Sequence, residues 1–168
     1  MELFEAIQTR RTVRNFTGAP VACEDLEKIV DAGRLAASGV NYQPWEFIAV
    51  TDPDLLRSLR VQEEHWSKSA GAVIAVVMNP ESRWWIEDAS AAVQNMLLAC
   101  RALGYGACWY EGYTLRNEEA FKTVLGIPDN RRLFTLVAVG VPAVEPIQEK
   151  KSLNEVLHWQ RYTPKNEA

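Results

Sequence analysis

Histidine is nearly absent from this chain: His65 and His158 stand alone, and neither shares zinc-ligand spacing with a cysteine. The three cysteines, Cys23, Cys100 and Cys108, are odd in number and unpaired in spacing. That excludes a disulfide framework and fits a reducing cytoplasm. A basic excess is also missing, since 18 Lys and Arg against 22 Asp and Glu leave a net charge of −4. Duplex binding needs a clustered basic surface, so no nucleic-acid partner is expected. The longest apolar run, Ala70 to Met78, is far too short for a membrane span. The start, Met1 to Ala6, has no basic stretch leading into an apolar core, so no secretory signal is expected. No repeat, low-complexity run or linker divides the chain. One domain over 1–168 is expected, burying roughly 70% of its unfolded surface. These absences point to a cytoplasmic protein without metal or membrane partners.

What is present reads as alternating helices and strands. Leu3, Phe4 and Ile7 mark a first helix. Glu24 to Ala37 carries an apolar stripe, with Cys23 where a capping Ser, Thr or Asp is usual. Trp45 to Val50 reads as a strand, and Asp52-Pro53 caps and starts a short helix through Leu59. Gly71 to Met78 has the continuous apolar character of a strand covered on both faces. Ile86 to Leu103 is a long helix with Val93, Met96, Leu97 and Cys100 on its core side, stopped by Gly104 and Gly106. Ala107 to Tyr110 is a strand, Asn117 caps a helix to Leu125, and Leu133 to Val139 is the last strand. Helices between strands imply an α/β or α+β three-layer fold. Residues 142–168 are too polar to form a domain, and a tail anchored on a partner by Leu153, Val156, Leu157 and Trp159 is expected. Adjacent Trp84 and Trp85 point about 100° apart in a helix, which implies a second surface over them.

Three segments carry candidate chemistry. Arg10, Arg11 and Arg14, with Thr12 between them, crowd three guanidiniums into five positions of an acidic chain. Basic side chains suit a helix C-terminus, but Arg also grips phosphate through a planar fork. A second basic pair, Lys150-Lys151, strengthens the phosphate reading. Ser38, Asn41 and Gln43 gather hydroxyl and amide groups in one loop before Pro44-Trp45, suited to a polyol or a heteroaromatic ring. Gly104-Tyr105-Gly106 follows a helix, which excludes a Rossmann phosphate loop. Glu111-Gly112, after the strand that it opens, offers backbone amides to a flat ligand. Glu87-Asp88 at a helix start is read as a dipole effect.

Taken in order and spacing, Arg10 to Phe16, Ser38 to Trp45, Gly104 to Trp109, Gly140-Val141-Pro142 and Val156 to Trp159 resemble the FMN-dependent nitroreductase family. The resemblance implies an α+β, nitroreductase-like three-layer fold with a central, mainly antiparallel sheet. It also implies an intertwined homodimer with FMN at the interface. By motif position, Arg10, Arg11, Thr12 and Arg14 correspond to phosphate and ribityl contacts, with Lys150, or failing it Lys151, at the late basic position. Ser38, Gly39, Asn41 and Gln43 correspond to the loop reaching the flavin from the partner subunit. Glu111 and Gly112 correspond to amides at the N5 edge, with Trp109 and Tyr110 packed on the ring. The pyrimidine-edge contacts fall within Val61 to Lys68, with Gln62, Glu63 and Lys68 as candidates; Trp66 and Trp84-Trp85 would shape the acceptor pocket. The implied activity is electron transfer from NADH or NADPH through FMN to a nitroaromatic, quinone or similar small acceptor, by ping-pong kinetics. No side chain is needed as acid or base. Alternatives are a specialised flavoenzyme on the same scaffold and a non-catalytic FMN-binding module.

Overall fold

The computed structural model describes residues 1–59 and 69–164. Its elements run α1 (Leu3–Thr9), α2 (Cys23–Arg34), β1 (Trp45–Val50), α3 (Pro53–Ser58), β2 (Ala72–Met78), α4 (Trp85–Ala102), β3 (Gly106–Trp109), α5 (Glu111–Arg116), α6 (Glu118–Leu125), β4 (Arg132–Gly140) and α7 (Leu153–Val156). Among these the sheet order is β1-β2-β4-β3, every neighbouring pair antiparallel. The fold is therefore α+β rather than α/β.

β2 is buried along its whole length because it is central and covered on both faces. Its side chains alternate as strand geometry requires. Ile74, Val76 and Met78 join Leu26 and Ile29 of α2 and Val93, Met96 and Cys100 of α4. Val73, Ala75 and Val77 join Leu56 of α3 and Phe121 of α6 on the opposite face. A bulge between Val76 and Val77 makes Val76 face Thr135 and Val77 face Leu133. The extra residue flips the phase of β4. Phe134 is thereby aimed at the α4 side, where its ring meets Trp85 edge-on at 6.1 Å and Trp109 at 5.9 Å.

Several element ends differ from the sequence reading. Cys23 is the first helical residue of α2 and Ala22 is the N-cap, with no side-chain cap bond, so this start is set by packing. α2 stops at Arg34, and Leu35 beyond it is exposed. Asp52 caps α3 as its type predicts, accepting from the N–H of Asp54 and of Leu55 at 2.9 Å. Gly104, at φ +87°, takes the left-handed position that ends α4, and Tyr105 N–H returns to the Cys100 carbonyl at 2.8 Å. α5 fills the stretch between β3 and α6, for which the sequence reading gives no element. It has no side-chain cap and a glycine at its second position, so the sequence hardly signals it. Asn117 stands at the N-cap of α6, but its amide donates to the Tyr113 carbonyl instead.

α1 and the tail turn apolar side chains outward. Leu3, Phe4 and Ile7 are exposed, as are Leu153, Val156, Leu157 and Trp159. α7 carries a Ser152–Glu155 capping box and buries nothing against its own chain. No helix among the described residues is long and apolar enough to cross a membrane.

Candidate functional site

The guanidinium cluster begins where α1 ends. Arg10 N–H still bonds the Ala6 carbonyl, but its ψ of 125° turns the chain out of the helix. The next residues pass along the edge strand β3 and on to the residues that follow β4. Thr12 bridges Ala107 in parallel, and Val13, buried, donates to the Ala107 carbonyl at 3.0 Å. Phe16 bridges Pro142, Thr17 N–H bonds the Val141 carbonyl, and Ala143 N–H bonds the Asn15 carbonyl. With Val13 committed to the core, Arg14 is left exposed. Its charge is felt at Cys108 and Tyr110, so it stands by the end of β3.

The late basic segment is tied to the early one. Arg11 Nε donates to the Gln148 carbonyl at 2.9 Å across 137 residues, and its Nη1 donates to the carbonyls of Gln8 and Arg10. Arg101, from the last turn of α4, donates to Thr9 Oγ1 and pairs with Glu145 at 3.1 Å. Lys150 and Lys151, both exposed, follow within three residues of Gln148. Sequence alone could not link these two segments; Arg11 and Arg101 pin the 140s segment, the one that leads to Lys150, beside the end of α1.

At the far end of β3, Tyr110 N–H bonds the Leu136 carbonyl, while Thr114 Oγ1 donates to the Tyr110 carbonyl and accepts from Leu136 N–H. These bonds fix the first turn of α5. A helix start leaves its first N–H groups without intrahelical acceptors, and here those belong to the exposed residues Glu111 and Gly112. Trp109 packs on Phe134, and its Nε1–H is buried with no partner among the described residues. Burial raises the thiol of Cys108 and the phenol of Tyr110, the nearby Arg14 charge opposing both shifts. Burial likewise pushes Cys100 up to about 12, so neither buried thiol is a ready nucleophile.

The Ser38 to Gln43 loop lies elsewhere. It holds three non-glycine residues at positive φ: Val40 at 46°, Asn41 at 58° and Gln43 at 52°. Such angles cost about 1–3 kcal/mol each and are an outright outlier for a β-branched valine. Internally, Ser38 Oγ accepts from Gln43 N–H at 3.0 Å and the Ser38 carbonyl accepts from Asn41 N–H. Asn41 and Gln43 stay exposed. Gly39 sits on Trp84, where a Cβ would come within 2.3 Å of the ring, and its N–H bonds Asp88 Oδ1 at 2.9 Å.

One chain therefore holds its two polar sets at opposite ends of α4. The loop is fastened at Asp88 in the first turns and the arginine cluster at Arg101 in the last. At 1.5 Å per residue the thirteen steps between them span about 20 Å. Val61 to Lys68, with the candidates Gln62, Glu63 and Lys68 and also His65 and Trp66, lies outside the described residues. Of the tryptophan pair, Trp84 is 39% exposed, while Trp85 packs on Phe134 and carries Arg132 5.4 Å over its ring.

The donor set fits a phosphorylated, planar cofactor. Guanidiniums stand past the end of α1, tied through Arg11 to the segment that leads to Lys150 and Lys151, while the first backbone N–H groups of α5 and an indole N–H unpartnered among the described residues lie near the end of β3. A polar loop is held in strain, and such strain often marks a binding surface. Comparison with known proteins gives this class its family. Residues 7–76 and 61–141 match the profile of the Nitroreductase family, and the chain belongs to it. It is 37% identical over 152 residues to an Archaeoglobus fulgidus protein named provisionally as an NADH dehydrogenase/NAD(P)H nitroreductase, covering 86% of this chain and 87% of that one. An FMN-dependent nitroreductase from Clostridium difficile superposes with a TM-score of 0.84 at 26% identity, over 95% of this chain and 99% of the other. A nitroreductase from Bacteroides fragilis, solved with bound FMN, superposes at 0.75 with 27% identity, over 99% and 100%.

Proposed function

We propose that this protein is a cytoplasmic FMN-dependent oxidoreductase that passes electrons from NADH or NADPH to a small acceptor such as a nitroaromatic or quinone. The observation that carries the reading is the Arg11–Gln148 bond, which ties the segment leading to Lys150 and Lys151 to the arginine cluster in a chain of net charge −4. In this reading Lys150 and Lys151 join the arginines, and cations so placed favour a phosphate monoester and stabilise an anion close by. Arg10, Arg11, Thr12 and Arg14 hold the phosphate and the sugar-alcohol chain. The amides of Glu111 and Gly112 face the ring, with Trp109 and Tyr110 behind it. FMN held by these residues would supply the redox chemistry between nicotinamide and acceptor. The chain's own part is to bind, orient and exclude water, and no side chain serves as obligatory acid or base. Donor and acceptor bind the same face in turn, hence ping-pong kinetics.

The working unit in this reading is an intertwined homodimer. The separation of loop and arginine cluster along α4 supports it, because Ser38, Gly39, Asn41 and Gln43 then meet the flavin held by the other chain. The outward apolar residues of α1 and of the 142–168 tail supply the surface that a partner would cover. Three unpaired cysteines fit a reducing compartment.

An absorption spectrum of the purified protein, followed by anaerobic NAD(P)H titration, tests the function. A flavin spectrum bleached by NAD(P)H and restored by a quinone or nitroarene is expected. A colourless protein that takes up no added FMN would defeat the proposal. A yellow protein reduced by dithionite but not by NAD(P)H would leave an FMN-binding module.

A further inference from the structure

We infer that Asp88 is a positioning residue for the flavin-facing loop, gripping Gly39 so that Ser38 and Asn41 keep one shape. The inference rests on the reading that this loop meets FMN. Val40, Asn41 and Gln43 all stand at positive φ, and the loop's internal bonds, Gln43 N–H to Ser38 Oγ at 3.0 Å and Gln43 Nε2 to the Asn41 carbonyl at 3.3 Å, shape it without fastening it to α4. Among the described residues, two hydrogen bonds tie residues 38–43 to the rest of the molecule: a short one from Gly39 N–H to Asp88 Oδ1 at 2.9 Å and a long one from Asn79 Nδ2 to Tyr42 Oη at 3.5 Å. The second grip is steric. The Trp84 ring lies where a side chain of residue 39 would be, 2.3 Å from the position of its Cβ. Trp84 is the N-cap of α4 and its carbonyl accepts from Asp88 N–H at 2.9 Å, so the two residues that meet Gly39 are set by the same first turn.

The carboxylate itself is unusual. Asp88 is 4% exposed, and its Oδ2 has no partner among the described residues. Burying an acid with one oxygen unmatched is costly, and the positive end of α4 offsets only part of that cost. A helix-start acid kept merely for the dipole sits in solvent, as the exposed Glu87 beside it does. Asp88 points inward because it has a backbone N–H to hold.

The test compares wild type, Asp88→Leu and Asp88→Asn as purified full-length protein. FMN is titrated into flavin-free samples by fluorescence quenching, and hydrogen exchange is read at the Ser38–Gln43 peptide and along α4. Leucine removes the acceptor at similar volume, so FMN binding is expected to weaken about tenfold, with faster exchange in the loop and an unchanged α4. Asparagine keeps an acceptor, so binding within about threefold of wild type and a protected loop are expected. Wild-type FMN affinity with a protected loop in Asp88→Leu would overturn the inference, as would equal losses in both variants. Should Asp88→Leu not fold, the wild-type Gly39 amide decides: rapid exchange there overturns the grip. A wild type that ignores FMN defeats the flavin reading alone, since loop protection lost in Asp88→Leu would still show the hold on Gly39.

Discussion

At the scale of single residues, the three early guanidiniums have different tasks. Arg11 is already engaged by the carbonyls of Gln148, Gln8 and Arg10, which makes it the tie between the two basic segments. Among the described residues the side chains of Arg10 and Arg14 carry no such set of bonds, so under the proposed function they are the freer candidates for a phosphate. Arg10→Ala or Arg14→Ala should therefore weaken FMN retention by about 1.5–3 kcal/mol, the size of a charge-assisted hydrogen bond. Equal FMN affinity in both variants and wild type, by fluorescence titration, would remove the assignment. Glu118 offers a separate test of stability. It is nearly buried, which alone would raise its carboxyl, but Arg132 donates to both oxygens at 2.8 Å and Leu133 N–H adds a third bond, so the net shift is downward. A carboxyl that gives up its proton more readily when folded stabilises fully above the ordinary glutamate value of about 4.3. That contribution is lost as pH falls through the lower folded value. Glu118→Gln should cost about 2 kcal/mol in urea unfolding at pH 7, less than a dry pair because Arg132 is 42% exposed. The gap should shrink at pH 3; a gap of the same size at both pH values would contradict this account.

Elements show how far local signals reach. The Asp52-Pro53 start of α3 is legible because both residues act on their own neighbours, the carboxylate capping two N–H groups and the proline opening the first turn. Asp52→Ala should lower stability by about 1 kcal/mol, as N-cap losses do, measurable by thermal or urea unfolding. An unchanged midpoint would mean the cap is redundant. α5 left almost no trace in the sequence, because it is held by Thr114 bridging to β4 rather than by caps or periodicity. The bulge in β4 was equally hidden. Strand alternation places Phe134 on the α6 side, and the register against β2 turns it to Trp85 and Trp109. Asp88 was legible only as an acid at a helix start, since its bond to Gly39 spans 49 residues.

For the whole molecule, the unresolved need is a surface to cover Phe4, Ile7, Ile147, Leu153, Val156 and Trp159, all exposed on the single chain. Apolar area of this extent usually marks an interface. Sedimentation at micromolar concentration should give a particle of twice the 19.0 kDa chain mass, and removing residues 142–168 should yield aggregation or loss of flavin. A well-folded monomer would contradict the dimer. The sequence by itself determined most strands and helices, the helix stop at Gly104 and the types of group able to hold a phosphate, because each depends on neighbours a few residues away. Only the tertiary structure decided that Gln148 meets Arg11, that Phe134 joins the tryptophans, and that the polar loop and the arginine cluster stand at opposite ends of α4. Those depend on strand register and on contacts between residues far apart in the chain, which spacing along a sequence does not encode.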